Sequence, residues 1–373
     1  MKYKTPCYII HKEQFQNNLL DIKNHFERYW KSEVICSYSC KTNNSREMIR
    51  LAKEYGMYAE VVSSNEYNLA KEVGFEDSEI IYNGPCKGEA VYSACYLGAI
   101  INIDNLEELN CFSKQFYKKY GKYPSKLGLR CNFDLEAVVP GETSTELEPG
   151  RFGICYENGD FEKAINYLNS REIRLEGLHI HFTTKTRSLS VYEEISKMFK
   201  KLINEYGLNL SYIDIGGGFW GGRKIDDKPT MEEYSRAISS VLNLNPLPKL
   251  ILEPGSALCS TVVEYLTKVI SVKDIRNSRF IILDGTSLHI NPFQYKRNAQ
   301  YVVEGFKENF SKVQEKKHVL CGATCLEKDI FAYMSEPQNL KEGDYVRFLN
   351  VGAYTMSFVS EFILEKPVIY LED

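Results

Sequence analysis

Residues 174–219 read RLEGLHIHFTTKTRSLSVYEEISKMFKKLINEYGLNLSYIDIGGGF. The runs 174–182 and 211–215 are apolar and short, as strands are, while 189–206 carries its apolar residues at helical spacing and closes on Gly207. The stretch is therefore strand, helix, strand. The same alternation extends backwards through strand-like runs at 34–40, 57–62, 80–83, 99–103 and 126–133, and forwards to 249–253. Amphipathic segments at 45–55, 64–73, 86–97, 105–120, 161–169 and 230–243 separate them, and Phe15, Leu19, Ile22 and Phe26 mark a helix before the first. Eight strands alternating with helices over this length predict an α/β fold, a parallel (β/α)8 TIM-like barrel, whose usual size is ~250 residues. An open doubly wound sheet is the structural alternative.

Beyond Ser256 the texture changes. Runs at 261–272, 279–283, 301–305, 317–320, 330–334, 344–349 and 367–371 are separated by turn-like residues, which predicts an antiparallel β domain joined by the N-terminal strand 6–10. The expected organisation is a barrel over 22–260 and a β domain made of 1–21 and 261–373.

The 46 Lys+Arg nearly balance the 50 Asp+Glu, for a net charge of −4, which argues against a nucleic-acid binder that works by neutralising phosphates. With 43% hydrophobic and 26% charged residues the chain is globular, not disordered. No stretch approaches the roughly 20 apolar residues of a membrane span, and Met1–Pro6 opens no apolar signal region, so a cytoplasmic protein is expected. The 11 cysteines are scattered without a CxxC pair and read as reduced, mostly core thiols.

Chemistry in such a barrel belongs at the C-terminal ends of the strands. Those positions are Lys41, Glu60, Asn83, Asp104, Arg130, His181, Gly216 and Glu253. Any one of them is as easily a solvated loop residue; the set is uniformly ionisable or glycine. A lysine at a barrel mouth can carry a Schiff base where neighbours lower its pKa. Three successive glycines, Gly216–Gly218, leave backbone N–H groups free to approach an anion such as phosphate. His179 and His181 share a strand face, but no further ligands at metal-site spacing accompany them, so no metal is expected and a ring lying on an aromatic cofactor explains His181 better. Glu253 could face a protonated heterocyclic nitrogen or form a salt bridge.

Together, Tyr38–Asn43, Ser63–Glu66, Arg130, His181, Gly216–Gly218, Glu253-Pro254-Gly255, Asp284-Gly285, Gly322–Cys325 and Gly352–Thr355 resemble the fold type III pyridoxal-phosphate enzymes of the diaminopimelate/ornithine/arginine decarboxylase family. The resemblance covers nearly the whole chain. It implies a barrel plus a β domain, pyridoxal 5'-phosphate as cofactor, and a head-to-tail homodimer with shared active sites. Position by position it implies Lys41 as the aldimine lysine, His181 stacked on the pyridine ring and Glu253 paired with the pyridine nitrogen. It implies Gly216, Gly217, Gly218, Thr184 and Tyr354 as the phosphate cradle, with Glu60, Arg130, Gly255 and Ser256 also lining the cofactor. Cys325 is implied as the thiol lent by the neighbouring subunit to protonate the substrate carbon.

Four positions depart from the family pattern. The Arg that usually follows Glu-Pro-Gly is Ser256, the Arg-Pro pair that holds a second carboxylate in diaminopimelate decarboxylases is Asn291-Pro292, the acidic residue after the catalytic Cys is Leu326 with Glu327 one place on, and Lys296 beside Tyr295 stands where an acid meets the distal amine of ornithine. Substrate contacts are accordingly expected at Tyr295, Lys296 and Glu327. The expected function is a pyridoxal-phosphate-dependent amino-acid carboxy-lyase whose small-molecule substrate has a neutral or anionic distal group, as in specialised metabolism. The alternatives are a racemase, a cofactor-dead binding relative, and an ordinary diaminopimelate decarboxylase in which Arg223, Arg187 or Lys185 replaces the missing arginines.

Overall fold

Strand β2 (Val34–Ser39) is buried along its whole length, because both of its faces are covered in a parallel sheet. It belongs with β3 (Tyr58–Val61), β4 (Ile80–Tyr82), β5 (Ile100–Ile103), β6 (Lys126–Asn132), β8 (Arg174–His179), β9 (Tyr212–Asp214) and β10 (Lys249–Leu252). These pair in parallel in the order β5-β4-β3-β2-β10-β9-β8-β6, and β5 pairs with β6, so the sheet closes into a barrel; the two-residue β7 (Ile154–Cys155) adds to β6 from outside. The computed structural model describes residues 2–143, 149–293, 298–304, 316–336, 338–359 and 361–373.

Ile35, Ile81, Tyr212 and Ile251 fill part of the barrel core. Tyr212 fits because its neighbours are glycines: a Cβ on Gly177 would stand 2.3 Å from its ring, and one on Gly128 2.1 Å from its hydroxyl. The helices follow the sequence signals closely. Ser64–Val73 is capped by the Ser63 side chain and ended by left-handed Gly74, and Leu189–Tyr206 is ended by Gly207. The helix expected from residue 86 instead begins at Ala90, since Gly88 at φ 70 interrupts regular backbone before it.

The second sheet contains β1 (Cys7–His11), β11 (Val263–Ile275), β12 (Ser278–Leu283), β13 (Tyr301–Glu304), β14 (Lys317–Cys321), β15 (Ile330–Tyr333), β16 (Tyr345–Phe348) and β17 (Val368–Glu372). Its main path runs β13-β16-β11-β12-β14-β15, with β1 joining β11 to β17. Most pairs are antiparallel, as the sequence leads one to expect of this domain, with β1–β17 and β12–β14 as parallel exceptions. The long segment between β12 and β14 makes that parallel crossover possible, which a hairpin turn could not. The 13-residue β11 shifts register between Val269 and Ser271, pairing with β1 and β16 before the shift and with β12 from Val269 on.

The chain divides into two compact units, one formed by the described residues of Met1–Gln16, Thr42–Met48 and Leu258–Asp373, the other by Asn17–Lys41 and Ile49–Ala257. Thr42–Met48 groups with the β unit because Asn43 donates to Gly352 O at 3.0 Å and Tyr354 N–H donates to Thr42 O at 2.8 Å. Among the described residues no helix is long and apolar enough to cross a membrane. None of the eleven cysteines forms a disulfide.

Candidate active site

Lys41 sits in the turn Cys40–Thr42 that ends β2, and its Nζ donates to Glu60 Oε2 on neighbouring β3 at 2.5 Å. Glu60 is 1% exposed, and Ser39 Oγ donates to the same oxygen at 2.8 Å. Asn83, at the end of β4, uses one amide to donate to Glu60 Oε1 at 3.3 Å and Glu253 Oε1 at 2.5 Å. Asn102 Nδ2 in turn donates to Asn83 Oδ1 at 2.9 Å, and Tyr212 donates to Asn102 Oδ1 at 2.7 Å. A run of buried amides therefore fixes the orientation of two carboxyl groups, because each amide has only one acceptor end.

Glu253 follows β10 and is hydrogen-bonded to Asp214 at the end of β9, which requires a proton between them. Burial first, then the charges of Asp214 and Glu60, hold the Glu253 carboxyl well above the usual carboxylate range. Asp214 Oδ1 also accepts the Gly216 N–H at 2.9 Å, tying the proton-sharing pair to the glycine loop. His179 lies below, its Nε2 3.8 Å from Glu253 and neither ring nitrogen hydrogen-bonded. The ligand-type atoms of His179, Asp214 and Glu253 fall within 4.8 Å of one another, a grouping no sequence spacing shows.

Gly216 and Gly218 have φ of 70 and 86, and a Cβ on Gly216 would stand 2.6 Å from the His181 side chain. The N–H groups of Gly217 and Gly218 donate to no protein acceptor among the described residues, and Gly217 is buried. His181 is pushed down to about 3 by burial and then by the positive charges of Arg130, Lys41 and Arg187, so its ring is neutral at physiological pH. Arg130, on β6, donates to the His181 carbonyl at 3.0 Å and lies 3.5 Å from Asp104, which holds the His181 backbone in place. Thr184 makes an isolated bridge to Thr143, and Ser256, just after Gly255, accepts from Arg187 at 3.1 Å.

Lys41, Glu60, Arg130, His181, Thr184, Gly216, Gly217, Gly218, Glu253, Gly255 and Ser256 thus all lie at one end of the barrel unit. Cys325, Glu327 and Tyr354 lie in the β unit and are exposed, Tyr354 with φ 54. The Cys325 loop hangs on buried Asp329, which accepts from Thr324 Oγ1 at 2.6 Å and from the Ser287 N–H and hydroxyl at 2.7 Å each. Tyr295 and Lys296 fall outside the described residues. Sequence reading missed Asn102 and Asp329. A lone Asn inside the apolar run 99–103 was a usable signal for the first; nothing local marked the second.

The barrel groups fit pyridoxal 5'-phosphate: an amine at Lys41 for the aldehyde, a neutral ring at His181 to lie against an aromatic, a proton-holding Glu253 for a basic ring nitrogen, and orphan N–H groups on the glycine loop for an anion. Comparison with known proteins agrees. Residues 13–260 match the family described as pyridoxal-dependent decarboxylase, pyridoxal binding domain. The diaminopimelate decarboxylase of Aquifex aeolicus is 26% identical over 370 residues, covering 96% of this chain and 84% of the relative, and that of Methanocaldococcus jannaschii is 27% identical over 379 residues, covering 97% and 84%. A crystal structure of the M. jannaschii diaminopimelate decarboxylase superposes with a TM-score of 0.84 at 25% identity, covering 99% of this chain and 87% of that one. A lysine/ornithine decarboxylase from Vibrio vulnificus shares the fold at a TM-score of 0.78 and 20% identity, covering 100% and 96%. The chain belongs to the pyridoxal-dependent decarboxylases, carboxy-lyases that use pyridoxal 5'-phosphate.

Proposed function

We propose that the protein removes the α-carboxylate of an amino acid or amino-acid conjugate whose distal group is neutral or anionic, in the cytoplasm, as a homodimer with shared sites. The carrying observation is the buried Glu253–Asp214 pair, which shares a proton in the same barrel mouth as Lys41 while Asn83 fixes the orientation of Glu253. Bound pyridoxal phosphate supplies the electron sink for the pair of electrons left when CO2 departs. Lys41 would hold the cofactor aldehyde, and Glu60 keeps the Lys41 side chain in place. Glu253 would hold a proton for the ring nitrogen, while neutral His181 would lie against the ring without adding a competing positive charge. The Gly217 and Gly218 amides would take the phosphate, Gly216 being tied to Asp214, with Thr184 and Ser256 on the same barrel unit; Tyr354, on the β unit, is the remaining candidate for this cradle. Cys325 of the partner subunit delivers a proton to the substrate carbon. Its exposure supports lending it to a second chain, as do the exposed Phe293 and Phe358, whose rings meet at 4.7 Å on the same unit.

The distal-group assignment rests on Leu326 and Lys296, which replace the acids an amine tail would need and leave a positive charge in their place. A second reading, decarboxylation of meso-diaminopimelate, is favoured by the relatives; its distal carbon bears an ammonium group beside the carboxylate, and the first reading excludes such an amine. CO2 release measured across L- and D-amino acids, diaminopimelate isomers, ornithine, lysine and acylated or citryl conjugates decides between them. Efficient turnover of meso-diaminopimelate or L-ornithine with the rest inert would remove the first reading while leaving the carboxy-lyase assignment intact.

A further inference from the structure

Arg187 is a non-glycine residue at φ 55, a left-handed conformation that persists only where its surroundings impose it. They do so from three sides. Tyr234 donates its hydroxyl to Arg187 O at 2.6 Å, Trp220 Nε1 donates to Thr186 O at 2.8 Å, and Glu142 accepts the Thr186 N–H at 3.2 Å. The side chain is placed as firmly as the backbone. Its guanidinium carbon lies 4.5 Å from the centre of the Trp220 ring, and Nη1 donates to Phe219 O at 3.2 Å and Ser256 Oγ at 3.1 Å. No carboxylate pairs with it among the described residues, and its Nη2 and Nε donate to nothing there. A half-buried guanidinium clamped in an unusual backbone conformation, with open donors and no counter-ion among the described residues, is arranged for an anion from outside the chain.

That anion has further partners at hand. Phe219, whose carbonyl Arg187 holds, directly follows Gly217 and Gly218, and the N–H groups of these two glycines lack protein acceptors. We propose that Arg187 is the cation of an oxyanion-binding site completed by the Gly217 and Gly218 amides, doing from the loop after β8 what the side chain at position 256, here only a serine, cannot do. The ligand chemistry is an oxyanion, supplied either by the cofactor's phosphate monoester or by a carboxylate at the substrate's distal end. The inference rests on the glycine loop lying at the cofactor site but not on which amino acid is decarboxylated.

The test uses the full chain stripped of cofactor, with affinity read from fluorescence, Trp220 lying against the site. Pyridoxal phosphate, pyridoxal and inorganic phosphate are titrated into wild type, Arg187→Gln, Arg187→Lys and the Arg187→Gln/Ser256→Arg double variant. Loss of a charge-assisted contact should weaken pyridoxal phosphate and inorganic phosphate by roughly ten- to hundredfold in Arg187→Gln while leaving pyridoxal unchanged. Arg187→Lys should lose less, and the relocated arginine should recover most of the loss. If phosphate affinity holds but KM rises only for substrates with a distal carboxylate, the substrate is the source of the oxyanion. Equal weakening of pyridoxal and pyridoxal phosphate, or no change in either phosphate affinity or carboxylate-substrate KM, overturns the proposal. The pyridoxal phosphate and inorganic phosphate titrations are read without amino acid present, so a wrong substrate assignment leaves them interpretable; only the KM measurement uses a substrate.

Discussion

Gly217 passes so close to Glu253 that a Cβ on it would stand 2.1 Å from the Glu253 carbonyl oxygen. The contact joins the end of one barrel strand to the loop after its neighbour, and Glu253 N–H donates to Gly216 O at 2.8 Å across the same seam. The glycine loop and the buried Glu253 are therefore tied to each other through backbone.

Gly217→Ala must push this seam apart, since the obstructing atom is backbone. Cofactor affinity should fall by more than tenfold and the melting temperature should drop by several degrees, as expected for an overpacked core site. Gly150→Ala, whose added methyl would meet nothing closer than 4.0 Å, is the control and should match wild type in both absorbance titration and melting.

Lys41→Ala should abolish borohydride-fixable cofactor and also weaken the cofactor-free fold. It leaves the Glu60 carboxylate, 1% exposed, without its cation. Since the Lys41 side chain is 39% exposed, the loss should be about 1–3 kcal/mol and not the larger figure for a wholly buried pair. Adding Glu60→Gln should return part of it, measured by urea unfolding.

Two groups that desolvation holds uncharged should tilt the pH dependence of cofactor-free stability in opposite directions. Glu253 keeps its proton in the fold at pH values where the unfolded chain, with a carboxyl near ~4.3, has released it, so stability falls as pH rises through that window, by at most about 1.4 kcal/mol per unit. Glu253→Gln should flatten that limb between pH 5 and 8. His181, held down to about 3 mainly by burial, works the other way: the unfolded ring protonates near ~6.5, so stability is lost as pH falls below it. His181→Phe should therefore be less acid-sensitive than wild type between pH 6 and 4 in the same urea series.

Cys325→Ala should bind cofactor normally and lose roughly 10²–10⁴-fold in turnover, the usual reach of a positioned proton donor. Mixed and re-equilibrated with Lys41→Ala chains, it should regain about a quarter of wild-type activity, because half the dimers are mixed and each has one intact site. Proven subunit exchange with no recovery would sink the shared-site assembly.

Much of this was legible in the sequence because periodicity and punctuation agreed. Ser63 and Gly74 bound the helix between them, and the apolar runs ending at Lys41, Glu60 and Glu253 mark strand ends to within a residue or two. The run 174–182 was read too long: β8 stops at His179, and His181 is set by the Arg130 contact to its carbonyl, which no local pattern announces. Asn102 and Asp329 act through partners 19 and 42 positions away, Asn83 and Ser287, so their importance is a property of the folded chain. The parallel pairing of β12 with β14 was equally hidden, since alternation of side chains looks the same in either direction.

The pairing of β1 has a consequence for the order of assembly during synthesis. Cys7–Ile10 finds its partners at Val263–Leu266 and Val368–Leu371, so this strand meets β11 soon after the barrel strands and β17 only much later. The barrel closes once β10 has emerged to meet β2, well over a hundred residues earlier in translation than β17. The nascent chain thus completes its barrel while Tyr8, Ile9 and Ile10 still lack β17, and one edge of this short apolar strand stays unpaired over that interval.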